Sequence, residues 1–592
     1  MRKVRIRTFA RIPSLLLLLL PGGVWAQSFQ GVVTGQYDNY RSGANLQETI
    51  LTPSNVSAGG FGLLFTNTVD ANIFAQPLYV PNVSIKGGVH NVVIVATLRN
   101  SVYAFDADTA QSALWHVSLG PPAKIGFPAS PLIGILSTPV IDPKSKVIFV
   151  VALSSQSNLP VYTLYALNLL TGKGLAHIAI QAAVTGTGDN SQSTPCAAWD
   201  GGAFDPPCVP FKALEQLQRP ALLEDSSNST IYVGFGTRSG SEAVSPYHGW
   251  LLGYQFTGTA FTQTFAFNST ANATQTGQAC SGSAPPNNQC GHGGGIWMSG
   301  RGPALDPTGI YVVTGNGGFG GAGTGNWGES VLRLDNLGSV QDSYTPNNYV
   351  SLNAADLDLG DAGAILFDSS NPAASNLALA AGKTGKVYVL NRSNLGGFNN
   401  GPAVQTFIGT TSGCGSGPGQ SACYEIHGMA YWARASADPL LYLWAWGDSL
   451  RVWDFHSDTN QFKLDANQGN LAISNFPGGA MAISANGDSG GILWAVVPVR
   501  STSAAQPGAL YAFDATNVST PLWNSSDYWY ATKFTSPTVA NGKVYIATSV
   551  SPPAVTPSYS PELRVYGLCG TCTHTPAASE LQKGAVLRAA EK

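Results

Sequence analysis

Residues 310–318 read IYVVTGNGG. An apolar, β-branched run breaks at Thr314-Gly315-Asn316, where flanking glycines free the backbone for conformations that a strand excludes. An asparagine there either forms the corner of a turn or presents an amide oxygen to a ligand. The other side chains able to do chemistry each have a plain structural reading. Glu242, ending YVGFGTRSGSE, reads as an exposed loop acid, Asp356 and Asp358 in DLDLGD as turn caps, and Lys383 in GKTGK as part of a hairpin turning at Gly385. Trp297 in GGIWMSGR reads as a packing residue. His248 in PYHGW, His292 in CGHGGG and His427 in EIHGM read as loop hydrogen-bonders, and polar neighbours let His292 line a mouth. Whether such scattered residues form one site depends on the elements between them.

Those elements repeat. Three short strand-like segments recur in fixed order, and eight copies are found. The first segment appears as AQPLYV, LSTPVID, QRPALLE, GRGPALD, DAGAILFD, HGMAYWA, GGAMAISA and FTSPTVA. Each is followed by an apolar run such as VVIVATL or IYVVTGN, then by a third such as SVYAFDAD or KVYVLNRS. From Pro77 to Pro537 the chain takes 460 residues over seven steps, a spacing that fits a four-stranded blade with generous loops. A fourth strand shows in ALWHVSL and PLWNSSD and is vague elsewhere. The last copy has none after it, and GLLFTNTV near Phe65 has the pattern to supply it. The expectation is an all-β, eight-bladed propeller of four-stranded antiparallel blades over residues 27–568, its ring closed by that N-terminal strand, with a polar tail over 569–592. Closure removes two sheet edges that invite aggregation.

Composition agrees: 68 Gly, 37 Pro and only 11% charged residues suit many short strands and tight turns. Residues 1–26 read as a secretory signal peptide. They run from a basic region of Arg2, Lys3, Arg5, Arg7 and Arg11, through Leu15 to Leu20, to a small-x-small site ending at Ala26. No segment approaches the roughly 20 continuous apolar residues a membrane span needs. A soluble protein, secreted or periplasmic after cleavage near Ala26, is therefore expected. Without the leader, 25 Lys and Arg face 33 Asp and Glu, a net charge of −8 that disfavours nucleic acid as a partner.

Eight cysteines fall into four local pairs: Cys196/Cys208, Cys280/Cys290, Cys414/Cys423 and Cys569/Cys572. In an oxidising compartment these read as disulfides, three of them stapling long loops at on the order of 3 kcal/mol each. The run CGTCTH has Thr573 where the haem-attachment pattern C-x-x-C-H has its histidine, and reads as a structural clip.

Repeats in which YAFDAD is followed by a Trp resemble those of the quinoprotein alcohol dehydrogenases, propellers that hold pyrroloquinoline quinone (PQQ) and a divalent cation on their axis. Four stretches are similar to that family's site motifs. GGIWMSGRGPALDPTGIYVVTGN resembles the segment whose Trp forms the floor under the quinone and whose T-G-N gives an Asn to the metal. The resemblance thus implies Trp297 as floor, Arg301 as a further cofactor-binding residue and Asn316 as ligand. YVGFGTRSGSE implies Glu242 as a metal ligand. DLDLGDAGAILFD resembles the turn bearing the catalytic base, implying Asp356 or Asp358, with Asp358 also among the metal ligands. AGKTGKVYVLNR implies Lys383 at the quinone carbonyl.

The implied activity is oxidation of an alcohol, polyol or sugar with PQQ and calcium, electrons leaving to a separate carrier such as cytochrome c. A non-catalytic propeller that binds or scaffolds at the cell surface is the alternative. One departure is plain: many of these enzymes roof the quinone with a disulfide between adjacent cysteines, and no Cys-Cys dipeptide occurs here.

Overall fold

The computed structural model describes residues 29–570 except 30, 58, 126–131, 199–200, 238–245, 275–292, 368–373, 400–403, 416–422, 472–474, 500–505, 528 and 551–559. The leader, Glu242, His292 and the Cys280/Cys290 pair lie outside these residues, as does the tail beyond 570.

All eight repeats fold as up-and-down antiparallel sheets. Their first strands include Leu78–Ile85, Val140–Asp142, Leu223–Asp225, Ala304–Asp306, Ala364–Leu366, Met429–Trp432, Ala480–Asn486 and Thr538–Ala540. These are the inner strands, and most of them touch the inner strand of the next sheet. The second strands are apolar on both faces because each is packed between neighbouring sheets: the first eight residues of Val147–Gln156 are all buried.

Eight apolar layers separate the sheets. One joins the first and second sheets through Leu78, Ile94, Ile148 and Val150, and another joins the fifth and sixth through Leu379, Val389, Tyr431 and Leu443. The last joins the eighth sheet to the first through Tyr545 and Val565 against Tyr79 and Val93. Phe61–Thr68 pairs antiparallel with the C-terminal strand Glu562–Leu568, the partner the repeat pattern assigned to it.

Three details depart from eight separate antiparallel blades. Gly397–Asn399 adds to the fourth sheet in parallel. Ala44–Asn45 adds to the seventh, also in parallel. The seventh and eighth sheets share hydrogen bonds, because pairing of Gln506–Asp514 with its own sheet ends at Gly508. The two residues before it then bond across to Tyr530–Ala531.

Residues 32–47 carry no strand pattern, yet they lace the inner strands together. Val32 exchanges hydrogen bonds with Tyr79 of the first sheet. The carbonyls of Val33, Asn39, Tyr40, Ser42 and Gly43 accept from Ile141, Leu305, Leu366, Tyr431 and Ile483, one in each of five further sheets. Arg41 Nη2 donates to Leu222 beside the third sheet's first strand, Asn39 Nδ2 to Glu224 within it, and Asn45 Nδ2 to Val539 of the eighth. The segment therefore reaches all eight sheets.

Two of the expected disulfides are formed, Cys196–Cys208 and Cys414–Cys423. Cys569 is also disulfide-bonded.

Candidate active site

Asn316 follows the second strand of the fourth sheet, Gly309–Val313, and Lys383 follows that of the fifth, Leu377–Ala381. Between them the chain forms the helix Tyr349–Ala355 and the 3-10 turn Leu359–Asp361, which carry Asp356 and Asp358. Blade geometry brings these stretches together. Asn316 Nδ2 donates to Asp356 Oδ1 at 2.7 Å, and the Asn316 amide donates to Asp358 Oδ1 at 2.8 Å. Lys383 Nζ lies 2.5 Å from Asp358 Oδ2 and 3.3 Å from Asp356 Oδ1.

Two glycines permit the contact. A Cβ on Gly315 would stand 2.2 Å from Asp358 Oδ1, and one on Gly382 would stand 2.2 Å from the Asp358 carbonyl. Asp356 caps the helix from the left-handed region, at φ +55°. Both features belong to turns, so Asn316 is a turn residue that also points its side chain at a carboxylate.

The electrostatics are crowded. Burial raises the Asp356 carboxyl, neighbouring Asp358 raises it further, and Lys383 and Asn316 only partly oppose them, leaving it at about 6. Burial alone would lower the Lys383 ammonium, but Asp358 and Asp356 carry it well above its ordinary value. It stays charged.

Glu329, which no motif pointed to, is fully buried beside this group. Its Oε2 accepts from the Leu359 amide at 2.7 Å, while Oε1 has no hydrogen-bond partner. Burial and then Asp358 push its carboxyl well above the usual range. Asn316 Oδ1 is likewise buried and without a partner. Asn353, also unmarked by motif, clamps the loop by exchanging hydrogen bonds with the Gly317 backbone at 3.0 Å each way. Carboxylate and amide oxygens left over in this way are the donor set of a hard cation such as calcium.

Deeper in the hub, Ser299 Oγ donates to Asp361 Oδ1 at 2.8 Å, and Asp361 meets His427 Nδ1. Glu425 lies 3.2 Å from His427 Nε2. Burial opposes the imidazolium, but Asp361 and Glu425 outweigh it and hold His427 at about 9. Arg301 lies between this group and the lacing segment. Its Nε donates to the Ala362 carbonyl at 3.0 Å, Nη2 to that of Met429 at 2.6 Å, and Nη1 to that of Arg41. Its guanidinium thus ties backbone together.

Trp297 is half-buried and meets Phe534 edge-on at 6.3 Å, and Phe534 in turn contacts His427 at 5.5 Å. Trp297 thus adjoins the histidine side of the hub. His248 is a loop hydrogen-bonder as read, contacting Thr270 Oγ1 at 2.8 Å and the Asp189 carbonyl at 2.7 Å.

No protein-family model and no curated protein sequence matches the chain. Solved structures do. Quinohemoprotein alcohol dehydrogenase from Comamonas testosteroni superposes with a TM-score of 0.56 at 15% identity, over 92% of this chain and 82% of that one. Quinohemoprotein alcohol dehydrogenase ADHIIG from Pseudomonas putida HK5 gives 0.56 at 12% identity, over 93% and 82%. A europium-containing methanol dehydrogenase gives 0.55 at 12% identity, over 91% and 98%. The chain has the fold of the quinoprotein dehydrogenase propellers. At these identities the likeness is one of fold.

Proposed function

We propose that the protein is an exported quinoprotein-type dehydrogenase that oxidises an alcohol, polyol or sugar. The observation that carries this reading is the meeting of Asn316, Asp356, Asp358 and Lys383, drawn from three separated stretches, around buried oxygens that lack partners. Asn316, Asp358 and Glu242 would hold a calcium ion, with Glu329 as a further oxygen donor, and Trp297 and Lys383 would hold PQQ. A bound quinone supplies the two-electron acceptor that no side chain here provides.

The remaining work falls to the chain's own groups. Asp356 is the more exposed acid, its side chain 34% accessible against 25% for Asp358, and is the base that takes the substrate hydroxyl proton. Asp358 is bonded to Lys383 and the Asn316 amide, and positions both. Lys383, kept cationic, stabilises negative charge developing on a neighbouring oxygen. Arg301 supports the arrangement through backbone carbonyls. Secretion or a periplasmic location, and a separate cytochrome c as electron acceptor, belong to the same proposal. Among the described residues no helix is long and apolar enough to cross a membrane.

One observation favours the alternative, a propeller that only binds. Beside His427, the space lined by Phe534, Met429, Met481, His427 and Arg301 is about 20 Å³, room for a single water, so side chains fill this part of the hub. The test mixes purified protein with PQQ and calcium, then follows cofactor absorbance on the protein and dye reduction across alcohols and sugars. Binding and turnover that vanish in Asn316→Ala support the enzyme. Absence of binding at micromolar PQQ leaves the binding propeller.

A further inference from the structure

Phe74, Arg219, Phe476 and Phe534 each stand four residues before a first strand, those of the first, third, seventh and eighth sheets, and these equivalent places meet at the hub. The Arg219 guanidinium lies over Phe74 at 5.9 Å and over Phe534 at 5.7 Å, while Phe476 meets Phe534 edge-on at 5.8 Å. Lys533 Nζ stands over the Phe476 ring at 4.5 Å, and Trp446 meets that ring edge-on at 5.2 Å. All four rings are only half-buried, and Lys533 reaches solvent. Its backbone is held, since Arg219 Nη2 donates to the Lys533 carbonyl at 2.8 Å. Phe534 beside it sits at φ +64°, a left-handed conformation that aromatic residues avoid and that persists where the surroundings impose it.

Neither cation is matched by an acid among the described residues. Burial lowers both, Arg219 to about 10, and no carboxylate raises either. Lys383, by contrast, already has Asp356 and Asp358.

We propose that Lys533 is the anion-binding residue of the hub, taking a carboxylate of a flat conjugated ligand that lies against Phe476 and Phe534. This rests on the quinone reading and deepens it, because PQQ is a fused-ring tricarboxylate. Asp356, Asp358 and Glu329 crowd the Lys383 side with negative charge, so the anionic end of such a ligand is repelled from there and attracted to the cation that has no counter-charge. An ammonium held over a ring face keeps N–H donors free on its other side, and the half-buried rings offer flat apolar surface.

Full-length protein in calcium buffer is titrated with PQQ, and quenching of tryptophan fluorescence gives Kd without any turnover. Lys533→Met, which keeps the length of an exposed side chain and removes its charge, is expected to weaken PQQ binding about tenfold or more. Lys533→Arg stays within about threefold of the wild type, because it keeps a charged donor. PQQ trimethyl ester binds the wild type and Lys533→Met alike, a result that lost packing alone would not give. Wild-type protein that binds no PQQ overturns the quinone reading and this inference together. PQQ affinity unchanged in Lys533→Met overturns this inference alone, and gluconate binding lost in that variant would then assign the ammonium to an acidic substrate. An ester that distinguishes the two proteins overturns it as well.

Discussion

Arg41 and Lys383 are both cations buried near the inner strands, in different company. Arg41 donates to the Pro303, Gly35 and Leu222 carbonyls and to the Thr34 hydroxyl. Burial pulls its pKa to about 10, with only Asp38 opposing. Lys383 sits between two carboxylates, with a third buried acid, Glu329, near enough to shift. In the laced hub, charge serves to saturate backbone oxygens. In the acid cluster, oxygens outnumber donors, and Asn316 Oδ1 and Glu329 Oε1 are left over. The contrast teaches that burial alone does not mark a functional group. Unmet hydrogen-bonding capacity does so only where it gathers beside like charges, since single atoms without partners occur elsewhere too, Gln36 Oε1 of the lacing segment among them.

The comparison can be broken at the hub first. Arg301→Leu strips donors from three buried carbonyls and is expected to cost about 4 kcal/mol by urea unfolding. A loss below about 1 kcal/mol would mean that those carbonyls find other partners and that the lacing is incidental.

Glu224, which borders the lacing segment through Asn39, supplies the next effect. Burial, then Asp142 and Asp225, push its carboxyl from 4.5 to about 7. The folded state therefore holds the proton more tightly than the unfolded one. Stability from this group is full below pH 4.5 and falls as pH rises toward 7, by about 3 kcal/mol at roughly 1.4 kcal/mol per unit. Glu224→Gln should flatten that stretch of the stability–pH curve.

The smallest stability effect is expected in the acid cluster, with the opposite sign. Asp356→Asn relieves repulsion from Asp358 and should raise stability at pH 8 by about 1 kcal/mol in calcium-free buffer, while lowering PQQ-dependent dye reduction at least 100-fold. Destabilisation with activity retained would place Asp356 with the structural residues.

The repeat was legible because inner and middle strands are buried on both faces, so their apolar runs are dense. Outer strands were not, because Gly174–Ala179 and Gln405–Ile408 are half-exposed and leave little apolar signal. Of the candidate site, the meeting of Asn316, Asp356, Asp358 and Lys383 was legible through glycine-flanked motifs, Gly315 and Gly382 being needed for close approach to Asp358. Glu329 stands alone in GNWGES, and its partner is the backbone of Leu359, a contact no local pattern encodes. His427 was read as a loop residue. Register within the repeat held a better clue, since Arg301, Asp361 and His427 all stand two or three residues before a first strand. Equivalent places in a rotationally repeated fold converge on one axis. Residues 32–47 gave no signal because five of their links to other sheets are made by main-chain carbonyls, and the side chains that help, Asn39, Arg41 and Asn45, stand in no repeated pattern.

The lacing segment also has a temporal consequence. The stretch a ribosome makes early bonds to strands made nearly last, as with Asn45 and Val539, 494 positions apart. Such distant pairings delay completion until the whole polypeptide is available. A barrel that waits for its final stave stays loose until synthesis ends.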